Sequence, residues 1–472
     1  RSLMQGSVWL MAGKLWFVVS AFLLYSGLSR LLTPEEFGTY SLVVNLVSIF
    51  NMVLITTTIQ SISKYTAMGN ADAVKHQGLK ILFFLGGALA LACFFSAPAI
   101  AAWFKDLNMV FPLHYAAFIM FFYGLYAVFI GSINGQKKFT LQAVFDGGYS
   151  TLRLAMILGL AHWTGTVHGA VWGFLLASMI IVAVSFVVIG PGAKGKSFET
   201  KEFLNFSLFL IGFHIIANIM TSADLFLLKR LSSSAQDAGF YAADLTLAKI
   251  PYMVLAAVNL AVFPMVSESR GQSKLEIQAL AQRGFILCLI FALLPAVLFA
   301  ADPAGTLRLI YPSAYLAGES GLFWLSIAYA IFCIFMFCST VLNAAINPVI
   351  SFGVSALGLL TQVFTASTLI PIYGMKGAAL GACAGYSLAF LIQWFILATK
   401  KLSPVPLRPT LTVLVISALI FFISWHFPAM KLKLLIKDAV LALAYLAAIF
   451  GMRVIKIEEL LSAAKGKQNV GS

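Results

Sequence analysis

The sequence predicts an all-α protein that crosses a membrane many times, and three observations lead there. Apolar residues make up 61% of the 472-residue chain and charged residues 10%, where a soluble domain carries about 25% charged residues. The apolar residues fall into fourteen runs, each long enough for the roughly 20-residue helix that a bilayer requires. One pattern also occurs twice. Leu28-Ser29-Arg30-Leu31 is followed by Gly38-Thr39-Tyr40, and Leu228-Lys229-Arg230-Leu231 by Gly239-Phe240-Tyr241. Similarity at a fixed long period marks an architecture built from repeats.

The first six runs cover 8–29, 41–62, 81–104, 109–133, 141–161 and 168–189. The next six cover 204–228, 240–264, 284–301, 319–342, 348–370 and 377–398, and the last two 410–427 and 434–452. None alternates as a barrel strand must, and backbone groups in lipid have only one another as partners, so each reads as helix. A later landmark fixes the repeat: Asn134 precedes Gly169-Ala170 and Gly173, as Asn343 precedes Gly377-Ala378 and Gly381. Glycines four apart let helices approach closely in lipid. Pro264, Pro295, Pro348 and Pro371 mark deformable points. The expected organisation is therefore a six-helix bundle over 1–190, a cytoplasmic linker over 191–203, and a second bundle over 204–399. Appended helices 13 and 14 lie in 400–460, and 461–472 forms a cytoplasmic tail. Six is even, so both bundles enter the membrane in one direction and a pseudo-two-fold along the membrane normal relates them.

With both termini in the cytoplasm, nineteen lysines and arginines fall on the cytoplasmic side and nine on the other. Cytoplasmic loops favour Lys and Arg, which sets that orientation. The five cysteines all lie inside spans and form no metal-ligand spacing, so neither a disulfide frame nor a metal site is expected. Gly190-Pro191-Gly192-Ala193-Lys194-Gly195-Lys196-Ser197 matches a phosphate-loop pattern. Such a loop needs a strand before it and a helix after it within a nucleotide-binding domain, and a membrane run precedes this one. Its lysines read as a basic linker beside anionic lipid headgroups.

Ionisable groups inside the spans carry the functional signal, because a charge at the bilayer centre costs roughly 2.5–3.5 kcal/mol even on insertion scales. Lys14 lies two turns into span 1. Asp146 and Arg153 lie seven apart on one face of span 5, a spacing that suits either a structural ion pair or a substrate and coupling role. His214 and Asn218 share a face of span 7, with Asp224 near its outer end, and Asp244 and Lys249 occupy the outer half of span 8. Lys14, Arg153, Lys249 and Asn218 are the candidate substrate-binding residues. Asp146, His214, Asp224 and Asp244 are candidates for ion coupling. Catalytic constellations and cofactor motifs are lacking, so a transporter rather than an enzyme is expected, with no cofactor, no metal and no nucleic-acid partner.

The stretch Ser29-Arg30-Leu31-Leu32-Thr33-Pro34-Glu35-Glu36-Phe37-Gly38-Thr39-Tyr40 resembles the opening of polysaccharide-export flippases of the multidrug/oligosaccharidyl-lipid/polysaccharide superfamily. Asp224 followed by Gly239-Phe240-Tyr241, and Tyr373-Gly374-Met375-Lys376-Gly377-Ala378 entering span 12, are similar to theirs as well. The resemblance implies an inner-membrane flippase for an undecaprenyl-pyrophosphate-linked oligosaccharide, an O-antigen, capsule or exopolysaccharide repeat unit. It implies alternating access, a central cationic cavity, membrane lipids as surroundings, and a polysaccharide polymerase and other glycan-assembly proteins as partners. Lys14, Arg153 and Lys249 would then face pyrophosphate or acidic sugars. Two alternatives are a proton- or sodium-coupled drug antiporter of the same superfamily and a peptidoglycan-precursor flippase. The second shares the span count, but its Arg-Asp pair in span 1 is replaced here by Lys14.

Overall fold

A bilayer leaves helix as the way to satisfy a lone segment's backbone, and among the described residues the protein is helical with no strand. The computed structural model describes residues 2–51, 55, 57–195, 200–253, 255, 274–346, 348–429, 432–452 and 454. Side chains at 2–8, 10–12, 14, 200–214, 274–277, 344 and 348 lie outside that description, as does Pro264.

The chain forms two compact units, Arg1–Ala242 and Ala243–Ser472. The first contains α1 (Ser2–Leu31), α2 (Pro34–Asn51), α3 (Thr57–Met68), α4 (Ala71–Trp103), α5 (Val110–Gly135), α6 (Phe139–Thr164), α7 (Val167–Val188) and α8 (Thr200–Leu231). Helix α9 (Asp237–Ala248) runs from the end of the first unit into the second. The second continues with α10 (Lys274–Ala301), short α11 (Pro303–Ile310), α12 (Glu319–Ala345), α13 (Pro348–Tyr373), α14 (Met375–Thr399), α15 (Leu407–His426) and α16 (Leu432–Gly451). Nine segments among the described residues are long and apolar enough to cross a membrane.

Local chemistry sets the helix starts. Thr33 and Glu36 form a capping box before α2: Glu36 N donates to Thr33 Oγ1 at 3.3 Å, and Thr33 N donates to Glu36 Oε2 at 3.2 Å. Pro34 holds the first helical position, where its missing N–H costs nothing. Asn70 caps α4 by accepting from Asp72 N and Ala73 N. Asp302 caps α11, accepting from Gly305 N at 2.9 Å.

The repeat predicted from sequence reappears in the packing of each unit. Gly169 and Gly173 press α7 onto α6: a Cβ on Gly169 would lie 2.6 Å from Leu160 O, and one on Gly173 would overlap Met156 O and come within 2.8 Å of Ile157 Cα. In the second unit a Cβ on Gly377 would overlap Leu369 O, and one on Gly381 would lie 2.8 Å from Ala366 Cα. Gly165 and Gly374 precede these helices with φ of 65° and 55°, the left-handed region that favours glycine. Leu160 thus matches Leu369, and Ile157 matches Ala366. That register equates Arg153 with Gln362 and Asp146 with Ser355.

Helices α15 and α16 join the core of the second unit, where Val413, Ile416 and Tyr445 pack with Phe285, Leu289 and Phe337. Asp302 ties them to the start of α11: its Oδ2 accepts from Ala429 N at 3.1 Å and from Lys437 Nζ at 3.2 Å.

The linker matching the phosphate-loop pattern is docked over its described part, 189–195. Lys75 is 2% exposed, donates to Ile189 O at 3.1 Å and pairs with Asp72 at 3.0 Å. Gly192, with φ of 81°, lies where a Cβ would overlap Asp72 O. The glycines here let the chain close onto the start of α4, a structural use of the same residues.

Candidate functional site

The first unit places Arg153 on α6, and the glycine seam brings α7 close enough for Phe174 to reach it. Its guanidinium carbon sits 5.0 Å from the centre of the Phe17 ring and 5.7 Å from that of Phe174, both cation–π distances. Arg153 has no ion pair within 4 Å among the described residues, and its buried Nε has no acceptor there. A guanidinium always carries its charge and needs acceptors for a planar fork of donors. Here aromatic faces supply the nearest negative potential.

Asp146 lies two turns earlier on α6, half-buried, with Tyr126 and Tyr123 among its electrostatic neighbours. The rings of Tyr123 and Tyr126 stack at 5.9 Å and 11°, and Tyr149 lies 5.2 and 5.4 Å from them. Tyr149 OH and Ser178 Oγ are 3.1 Å apart. The buried hydroxyl of Tyr126 has no hydrogen-bond partner among the described residues. The interior of the first unit thus combines a cation, a carboxylate and phenol hydroxyls within an aromatic frame.

The matching positions of the second unit, Gln362 and Ser355, are fully buried and neutral. Rings are kept there: Phe332 lies 4.7 Å from Tyr386 and 5.1 Å from Tyr252. The two copies differ in charge at these positions, and the ring against Arg153 is not repeated, since the register pairs Phe174 with Ala382.

The remaining candidates are scattered. Asp224 is fully buried and accepts from Tyr241 OH at 2.8 Å, so the tyrosine of the repeated motif meets it. Asn218 is half-buried on α8, its carbonyl accepting from Thr221 Oγ1 at 2.9 Å. Asp244 is fully buried against the first turn of α12: a Cβ on Gly318 would lie 2.7 Å from its Oδ1, and one on Gly321 2.5 Å from its Oδ2. Neither oxygen accepts a hydrogen bond among the described residues. Lys249 is half-buried, five residues further on. Lys14 lies within α1 and His214 within α8, but both side chains lie outside the described residues.

Sequence reasoning missed the ion pairs of Lys75, Lys437 and Lys229, of which the last is the most enclosed on both sides. Lys229 Nζ lies 2.9 Å from Asp106 Oδ2, with side chains 6% and 10% exposed, and Thr39 Oγ1 donates to the same oxygen at 3.3 Å. Asp106 follows α4 in a short connection with no periodicity to flag it. The arginines of the repeated pattern lie apart from that pair: Arg30 is exposed, and Arg230 lies 5.9 Å over Trp103.

A chain that is all-helical over its described residues, with nine segments apolar enough to cross a membrane and a ring-framed cation among them, has the build of a membrane transport protein. Residues 3–270 match the family model described as polysaccharide biosynthesis protein, and the chain belongs to that family. It is similar to Lsg locus putative protein 1 of Haemophilus influenzae, 23% identical over 323 residues that cover 66% of this chain and 77% of the relative. Its fold is similar to that of the lipid II flippase MurJ in an inward closed conformation, with a TM-score of 0.77 at 14% identity, covering 96% of this chain and all of the other. It is also similar to an inward-facing multidrug resistance MATE family transporter of the multidrug/oligosaccharidyl-lipid/polysaccharide superfamily. There the TM-score is 0.67 at 14% identity, covering 83% of this chain and 94% of that one.

Proposed function

We propose that this protein is a flippase that carries an undecaprenyl-pyrophosphate-linked oligosaccharide from the cytoplasmic to the periplasmic leaflet of the inner membrane by alternating access. Arg153 carries the reading. A permanently charged group held among rings, with no carboxylate paired to it among the described residues, is costly in an apolar bundle. A guest bearing phosphate or carboxylate oxygens would supply the missing acceptors through charge-assisted hydrogen bonds. The tyrosine hydroxyls nearby would meet sugar hydroxyls, and the polyprenyl tail would stay in lipid, where its transfer costs nothing.

Fourteen spans, two six-helix bundles over 1–190 and 204–399 with an appended hairpin, and both termini in the cytoplasm complete the proposal. Lys14, Lys249 and Asn218 would extend the binding surface. Asp146, His214, Asp224 and Asp244 are the candidates for coupling. Asp244 favours a cation-linked cycle most directly, because its buried carboxylate accepts no hydrogen bond among the described residues. Family membership and the fold support the reading.

The test is glycolipid accumulation in cells depleted of the protein, with leaflet location resolved by an impermeant sugar-modifying probe. Build-up of the undecaprenyl-pyrophosphate oligosaccharide on the cytoplasmic leaflet is the expected result. Normal glycolipid distribution with normal surface polysaccharide would turn the assignment to a cation-coupled antiporter.

A further inference from the structure

The two copies of the repeated motif meet one another inside the first unit. A Cβ on Gly38 would lie 2.7 Å from Gly239 N and 3.1 Å from Gly239 Cα, and one on Gly239 would overlap Pro34 O. Backbone therefore touches backbone with no side chain between, which only glycine at both positions permits. Around this contact lie the Lys229–Asp106 pair with Thr39, the Phe104 and Phe226 rings at 5.8 Å, and Ser222 Oγ donating to Asn45 at 3.1 Å. All but the Thr39–Asp106 hydrogen bond join α8 or the start of α9 to α2 or to the chain just after α4. None belongs to the Arg153 site.

We propose that this cluster is a latch that closes the end of the molecule opposite the cytoplasm, and that it parts when that end opens. The opening step rests on the flippase reading, since a carrier must separate the two copies here to release its cargo. The two components act differently. Taking two charges out of water offsets most of their mutual attraction, so a buried pair adds little net stability while each partner strongly requires the other. When water enters, both charges regain hydration, and the open and closed forms stay close in free energy. The glycine contact is purely steric and sets whether the closed form can exist.

The test uses right-side-out membrane vesicles carrying the full chain with its five cysteines changed to alanine and Ser222→Cys as reporter. Ser222 is 3% exposed and lies two turns below Lys229 on α8. A membrane-impermeant maleimide measures its access. Lys229→Met leaves Asp106 without its cation and Gly239→Ala blocks the backbone contact, so each should raise the labelling rate about two- to fourfold, the most that a near-balanced two-state equilibrium allows. Asp106→Leu combined with Lys229→Leu should return it to the parental rate, because an apolar pair can replace a buried ion pair. Unchanged labelling in both Lys229→Met and Gly239→Ala overturns the latch, and should the alanine variant not fold, Lys229→Met decides alone. Leaflet-resolved glycolipid movement is measured on the same vesicles. Faster labelling beside a parent that moves no glycolipid overturns the flippase reading and supports the latch; unchanged labelling beside normal movement overturns the latch alone.

Discussion

At the scale of single residues, Arg153 shows how far a side chain's partner depends on the helices around it. The seven-residue spacing from Asp146 puts both groups on one face of α6, and sequence can go no further. Phe17 on α1 and Phe174 on α7 decide what the guanidinium meets. A planar cation on two ring faces is poorly replaced by a compact ammonium. Arg153→Gln should remove a charge-assisted hydrogen bond to the cargo, about 1.5–3 kcal/mol, which corresponds to roughly ten- to hundredfold weaker binding. Arg153→Lys should recover only part of it. Rates of glycolipid movement in reconstituted vesicles, at matched protein levels, check both; equal rates for parent and glutamine variant would remove Arg153 from the binding surface. The latch shows the same dependence. Lys229 stands in the repeated pattern, but Asp106 becomes its partner only because the connection after α4 reaches α8.

At the scale of elements, helix and glycine seam were legible in the sequence. Unbroken apolar runs force helix, and glycines four apart in corresponding places foretold the tight packing of α7 on α6 and of α14 on α13. The start of α2 was not legible: the apolar run predicts a span from 41, while the helix begins at Pro34, because Thr33 and Glu36 cap a polar first turn that hydropathy passes over. Thr33→Ala removes one side of the capping box and should lower stability by about 1 kcal/mol. A fall in the thermal denaturation midpoint in detergent, with glycolipid movement retained, is the expected outcome. The docking of 189–195 was not legible, because Lys75 and Gly192 act through contacts far apart in sequence.

At the scale of the whole molecule, the duplication predicts two equal bundles, and each unit keeps the same glycine register. Charge breaks the equality: Arg153 and Asp146 are matched by Gln362 and Ser355. Period alone could locate the copies, but pairing these positions required the contacts of Gly173 and Gly381, because a one-residue difference in the loop shifts the count. The hairpin of α15 and α16 has no counterpart in the repeat, yet it packs into the core of the second unit and is pinned at Asp302. Lys437→Leu should free that end, and limited proteolysis after Phe427 should quicken. Asp302→Leu combined with Lys437→Leu should restore resistance, since the buried charge is then gone from both sides.

The tie between Asp302 and Lys437 also bears on how the protein is made. These residues stand 135 positions apart, and ribosomes add roughly 5–20 residues per second. For on the order of ten seconds during synthesis, Asp302 has been built and its lysine has not. Over that interval its Oδ1 can already cap α11 through Gly305, three residues away, while Oδ2 awaits both Ala429 and Lys437. Biogenesis therefore passes through a nascent second unit that carries an unanswered carboxylate at the start of α11, the form that an insertase or a quality-control protease would encounter. A transcript cut short before the codon for Lys437 would leave the protein in that form permanently.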